Sequence, residues 1–559
     1  MQNKITKIST DIDYFFDKAI DKSESGDFES ALELLRHAQQ TFMPQSFSTQ
    51  DIDIRLEIAD LFIQMGLIDE AFREYLKLSG SGYYLDEIFF GLIKCATLKD
   101  APMQASYYIK QGIELKAFDD GDDDPDGFDL EFLYEMCKSV PKRKFEVLSP
   151  RDTSRALDMA KSLLYTMDTA LAREVLIDIP KNSFQYIESR NYLALLELSE
   201  GRAIEGIEIC NKILKKEPND IYALSTKISA LNILKREKER DVLVKKLDGL
   251  NVEEWAEVSK VALCFCQINN SVLALKYLKR CLKYVPYDKD FLILKMLAEA
   301  NLSEFREAKN TAVLLLIIYP QDSVISYYAT DLDNDLPNAK SYNLMPELPQ
   351  HIRLIYAKIL DDYVSKATSP DDFIKDTKNN PQLSMSVSYA MTSGNSAIAG
   401  QLGVFLANSS IGYEIVKEYL SDTNFPTQAK KEIFVALLKK EKNPKKIHIV
   451  LGYQILWCKA KIPKTIKESM LNNAFAEVYG AMFFLAELNE KKLVKEATAM
   501  LKILEKKGIT LSANINNNAI ATVLACKVSS HKIFATINSA CDVFGVSVEE
   551  YEMAEAMFL

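Results

Sequence analysis

The chain has 559 residues, 48% of them hydrophobic and 26% charged, with a formal net charge of −11. That length exceeds one ordinary core, so several domains or an elongated array are expected, and the apolar share excludes a disordered chain. The acidic balance argues against one dominant nucleic-acid surface, and only 19 Gly and 17 Pro leave little from which to build strand-to-strand turns, so helix is expected throughout.

In chain order, Met1-Gln2-Asn3-Lys4 meets Asp11 and Asp13 before any apolar run, which is not the pattern of a signal peptide. The longest apolar stretches, 311–319 and 478–488, fall short of the roughly 20 residues that a bilayer core demands. Scattered cysteines, such as Cys264 and Cys266 inside an apolar run, fit buried, reduced thiols. A cytoplasmic protein without a membrane partner is expected.

Residues 1–118 read as N-terminal helical hairpins. Gly26-Asp27-Phe28-Glu29-Ser30-Ala31 and Gly66-Leu67-Ile68-Asp69-Glu70-Ala71 each place a turn before a helix with a small residue on its inner side, and Tyr84–Leu98 with Pro102–Leu115 makes a third, degenerate pair. Residues 119–150 form an acidic loop and connector. There Asp122, Asp124, Asp126 and Gly127 take the first, third, fifth and sixth places of an EF-hand calcium loop. The twelfth place, where a bidentate carboxylate should close the sphere, holds Leu133, so a solvated acidic loop is the preferred reading. Pro141-Lys142-Arg143-Lys144 reads as surface charge rather than a nuclear address.

Residues 151–330 carry a period. Pro218, Pro286 and Pro320 stand 68 and 34 residues apart, and steps of 34 align Ala194, Ile228, Ala262, Met296, then Gly206, Arg240, Ala274, Ala308, then Ile213, Leu247, Cys281, Leu315. Small residues let the helices of a hairpin approach, larger ones fill the seams, and Pro stops the second helix. Asp220 and Asp288 follow the prolines, where a new helix must start.

The segment 190–220, with 258–286 and 292–320, resembles the tetratricopeptide repeat family. The intervening unit departs from the family at Lys235, Arg240 and Val252 and is expected to be a hairpin with looser packing. The resemblance implies an all-α solenoid whose first helices line a concave groove that holds a partner's extended peptide or helix. In that register the groove positions are Asn191, Tyr192, Tyr222, Ser225, Ser229, Lys260, Gln267, Asp290 and Asn301. Leu195 and Leu263 stand where the family's carboxylate-clamping subgroup requires Asn, so binding of chaperone tails is not expected.

After a linker at 331–349, residues 350–559 read as an irregular helical module, with helical apolar spacing over Gln428–Lys440, Ile447–Ala460 and Pro463–Leu488 among others. Its basic patch, Lys439, Lys440, Lys442, Lys445 and Lys446, contains no Arg, and Tyr453 and Trp457 are placed in an apolar helix, so an idle solvated face is preferred over nucleic-acid contact. Residues 537–551 resemble a helix-turn-helix core, but Glu549, Glu550, Glu552 and Glu555 would repel phosphates, which leaves a terminal capping hairpin.

Four dispersed histidines, and no phosphate loop, HExxH or nucleophile elbow, point to a non-catalytic chain without cofactor or metal. The reading is a scaffold or adaptor, monomeric or dimeric, for a protein partner. The alternative is a regulator that contacts nucleic acid, or an acidic partner, through the Lys-rich module.

Overall fold

The structure, a computed structural model, describes residues 12–42, 49–118, 152–165, 169–334, 341–366, 369–392, 396–422, 425–440, 447–451, 454–458, 469–484, 489–509, 516–528 and 536–559. It is an α-solenoid of tetratricopeptide-like helical hairpins followed by an irregular helical module.

Three N-terminal hairpins come first: α1 (Ile12–Glu24) with α2 (Phe28–Phe42), α3 (Thr49–Gln64) with α4 (Ile68–Leu78), and α5 (Leu85–Leu98) with α6 (Pro102–Leu115). A second run follows: α7 (Ser154–Tyr165) with α8 (Thr169–Asp178), α9 (Tyr186–Ser199) with α10 (Ala203–Lys216), and α11 (Ile221–Ile233) with α12 (Glu237–Asp248). It continues through α13 (Trp255–Gln267) with α14 (Ser271–Cys281) and α15 (Lys289–Asn301) with α16 (Phe305–Ile318) to α17 (Ser323–Asn334). Consecutive helices pack against each other within each run, except α12 and α13, where α11 packs on α13 instead.

The 34-residue period reappears in the backbone. Gly201, Lys235, Asn269 and Ser303, one per turn between paired helices, all take the left-handed conformation, with φ of 80°, 56°, 56° and 64°. Gly26, Gly66 and Asp100 do the same in the N-terminal hairpins. Helix starts recur likewise: Asp220 accepts from the backbone N–H of Ala223 at 2.7 Å, Asp288 from Phe291 at 2.9 Å, and Asp322 from Ile325 at 3.0 Å, each satisfying an orphan donor of the first turn. The divergent unit packs as a hairpin, but α12 buries only Val244 and Leu247, because Arg240 in the small-residue column turns to Asn232 at 2.8 Å instead of entering the seam.

The remaining elements are α18 (Gln350–Lys366), α19 (Pro370–Asn379), α20 (Pro381–Thr392), α21 (Ser396–Leu406), α22 (Ser410–Ser421), α23 (Thr427–Lys440), β1 (Ile447–Leu451), β2 (Gln454–Cys458), α24 (Ser469–Phe484), α25 (Glu490–Lys507), α26 (Asn517–Val528), α27 (Ile537–Phe544) and α28 (Val548–Glu555). The helix expected over 447–460 is corrected. Its described residues pair as an antiparallel hairpin with Ile449 opposite Leu456, an arrangement that suits the β-branched run Ile447-His448-Ile449-Val450. At the C-terminus α27 and α28 both pack on α26 as a closing hairpin, and Ser547 and Glu550 form a reciprocal capping box at the start of α28.

The array does not end open. Helix α27 rests on α8, and Phe544 shares one core with Leu163, Ala172 and Leu196 of the first solenoid hairpins. The N-terminal hairpins pack through α2 on α16, through α4 on α22 and through α6 on β2, so Ile318 and Val450 belong to the N-terminal core. No described helix is long and apolar enough to cross a membrane.

Candidate functional site

Helices α9 and α13 leave part of their surface exposed, whereas α11 and α15 are buried over most of theirs, Ser225 and Ser229 included. Asn191 and Tyr192 lie on α9, Tyr222, Ser225 and Ser229 on α11, Lys260 and Gln267 on α13, and Asp290 and Asn301 on α15.

The first seven lie on the first helices of three consecutive hairpins. Asn191 donates through Nδ2 to Asp220 at 3.2 Å, leaving its Oδ1 buried without a partner. Tyr192 lies under the Lys161 amine, 5.4 Å from ring centre to nitrogen. Tyr222 projects an exposed ring, and partial burial with Glu257 nearby pushes its phenol above the ordinary value. Ser229 donates to Gln267 at 2.5 Å, tying α11 to α13, while the hydroxyl of Ser225 is buried and unbonded.

Lys260 reaches inward beside Cys264 and Cys210. Burial holds its amine below the usual lysine value, with both thiols opposing the shift, and no described group accepts a hydrogen bond from it. Leu195, Tyr222 and Leu263 expose apolar surface on the same helices. A desolvated cation, two unsatisfied polar atoms and three exposed apolar side chains can together hold a peptide's main chain and a moderately apolar side chain.

Helix α15 differs. Asp290 is exposed at the start of α15, whereas Asn301 is occupied by the chain itself. Its Nδ2 donates to the Tyr342 carbonyl at 2.9 Å and its Oδ1 accepts from the Tyr342 N–H at 2.6 Å. Asn269 accepts from the N–H of Leu344 at 2.9 Å. Sequence reasoning missed Asn269 and this docked segment, because nothing local announces a contact whose partners lie 75 residues apart.

The other candidate sites are less populated. Lys439 is exposed and paired with Glu477 at 2.8 Å, Lys440 ends α23, and Lys442, Lys445 and Lys446 lie outside the described residues. Lys430, grouped with those lysines by sequence, is only 1% exposed and donates to the carbonyl of Val450 at 2.7 Å, so it belongs to the core. Asp122, Asp124 and Asp126 also lie outside the described residues, as does the basic run 141–144. Among the described residues, no cluster of three or more His, Cys, Asp or Glu could hold a metal.

No family model matches the chain, and no curated protein matches it. Among solved structures, one similar chain comes from the crystal structure of the APC/C hetero-tetramer Cut9-Hcn1, at 12% identity and a TM-score of 0.21, covering 99% of this chain and 97% of that one. A likeness of that degree carries nothing about function.

Proposed function

We propose that the chain is a non-catalytic scaffold or adaptor that holds a peptide or helical segment of a protein partner along α9, α11 and α13. The observation that supports this reading is a polar deficit repeated from hairpin to hairpin. Asn191 Oδ1, Ser225 Oγ and the Lys260 amine, one from each of three successive first helices, lack a described hydrogen-bond partner. Each of the two buried oxygens costs about 1–3 kcal/mol when desolvated, a cost that a bound main chain relieves by supplying N–H groups. The exposed side chains of Leu195, Tyr222 and Leu263 add apolar contact on the same helices.

The test is affinity capture with the intact chain and with a Tyr222→Ala, Lys260→Ala, Gln267→Ala variant, with and without nuclease. A protein retained by the intact chain and lost from the variant supports the groove. Capture unaffected by the variant but abolished by nuclease moves the function to the Lys-rich C-terminal module.

A further inference from the structure

Arg190 breaks a rule that the other units keep. At steps of 34 its column continues with Leu224, Val258 and Leu292, each buried in its hairpin. In α9 the guanidinium turns aside instead: Nη2 donates to the carbonyls at the end of α8, including Ile179 at 3.0 Å and Ile177 at 3.2 Å. Its Nε–H is left buried and unbonded. The space that an aliphatic side chain fills elsewhere is here a cavity of about 210 Å³ between α9 and α10.

A second column breaks at the same place. In the next two units the cation at this register donates to a backbone carbonyl of the preceding loop: Lys246 to Pro218 and Arg280 to Val252. The corresponding residue here is Lys212, whose counterpart carbonyl belongs to Phe184, and that bond is not made. Among the described residues Lys212 has neither a hydrogen bond nor an ion pair, and Lys216, one turn further, lies over the face of Tyr186 at 5.0 Å. Arg190 covers the same ring at 4.8 Å.

The cavity is therefore lined by three cationic side chains and no carboxylate, with Ile187, Leu193 and Ile209 as an apolar wall. Lysines act as point charges for phosphate oxygens, and the Arg190 guanidinium adds a fixed positive charge behind them. We propose that this cavity binds a phosphate monoester on an aromatic or aliphatic stem, the phosphate between Lys212 and Lys216 and the stem against the apolar wall. Such an ester carries about −1.5 to −2 charges at neutral pH, which matches two free lysines. It has two sources, a phosphorylated side chain of a partner or a free phosphorylated small molecule.

Calorimetric titration of the full chain with phenyl phosphate is the test, with inorganic phosphate and phenol as controls. Saturable binding of phenyl phosphate, tighter than either control and weakened about tenfold or more by Lys212→Gln with Lys216→Gln, is the expected result. Both lysines are exposed, so this variant should retain its fold, checked by its circular dichroism and melting curve. Ile209→Phe, which fills the cavity and spares both lysines, should exclude phenyl phosphate while leaving weak binding of inorganic phosphate. Phenyl phosphate binding no tighter than phenol, or equal affinity in the wild-type and double-lysine chains, overturns the site. Undiminished phenyl phosphate affinity in Ile209→Phe overturns the cavity as its seat. A short peptide containing phosphotyrosine that binds tighter than phenyl phosphate assigns the group to a partner, and its exclusion assigns it to a small molecule; both support the site.

Discussion

Asn301 closes its side-chain amide on both the N–H and the C=O of Tyr342, at 2.6 and 2.9 Å, so a residue at a groove position grips the chain's own extended segment. Asn269 holds the N–H of Leu344 one repeat earlier, and Tyr342 and Leu344 are buried in the solenoid core. Two hairpins thus read a main chain through asparagine side chains, a mode that an extended partner could use elsewhere along the array.

Asn301→Ala should release this segment locally and leave the hairpins intact. The substitution removes three hydrogen bonds, two to Tyr342 and one to Ser271, and strands the buried main chain of Tyr342, with an expected loss of about 1–3 kcal/mol. Hydrogen exchange is the direct measurement: protection at Tyr342 and Leu344 should fall while α13 and α14 keep theirs.

The left-handed turn column predicts substitutions of opposite sign at equivalent positions. Lys235 is exposed with φ of 56°, and a side chain in that region costs about 1–2 kcal/mol, partly offset by the extra entropy that Gly loses on folding. Lys235→Gly should therefore stabilise the chain by about 0.5–1 kcal/mol in urea unfolding. Asn269→Gly gains less relief, because Asn tolerates the left-handed region, and loses the bond to Leu344, so it should destabilise. A gain at both positions would show that the Asn269 bond contributes nothing.

The solenoid was legible because its signals are local and repeat: Asp220 and Asp288 at helix starts, prolines at helix ends, Gly26 and Gly66 at turns, and small residues in the Gly206 column. The C-terminal module offered no period to check a reading against. Ile447–Leu451 is a short apolar run that fits helix or strand equally, and pairing with Gln454–Cys458, which sequence does not reveal, decides between them. Lys430 was unreadable for the opposite reason. Its neighbours in sequence are surface lysines, and only the fold shows that it points at buried carbonyls. The groove positions followed from the register alone, whereas the occupation of Asn301 required the long return of the linker.

Arg73 of α4 and Asp422 after α22 form an ion pair of 2.9 Å that joins the N-terminal hairpins to the C-terminal module, with Glu70 on the same guanidinium. Burial raises Glu70 above the usual carboxylate range despite Arg73, so the cluster is poorly solvated. Removing Arg73 leaves two carboxylates without their cation, and Arg73→Met should cost about 3–5 kcal/mol, whereas Asp422→Ala should cost less because Glu70 still holds the guanidinium. Arg73→Met with Glu70→Gln and Asp422→Leu should cost less than the sum of the single changes, because no lone charge remains. Hydrogen exchange should rise in α4 and α22 together in the single variants; an effect confined to one helix would show that the pair does not couple the two parts.

Lys430 gives this junction a pH dependence whose sign follows from its burial. Desolvation lowers its amine to about 7, with Asp422 opposing the shift and Lys99 adding to it. Below about pH 7 the lysine is charged in both the folded and unfolded chains, and the desolvation penalty is felt in full. As pH rises from about 7 towards the unfolded value of 10.5, the folded chain has already released a proton that the unfolded chain still binds, so stability increases across that window. Between about pH 6.5 and 9.5 the wild-type chain should gain about 3 kcal/mol relative to Lys430→Met, measured as the difference between their urea unfolding free energies. The variant also leaves the Asp422 and Val450 carbonyls without their donor, a loss independent of pH that shifts its whole curve down without changing its slope. Parallel wild-type and variant curves would show that Lys430 stays charged in the fold, held by those two carbonyls.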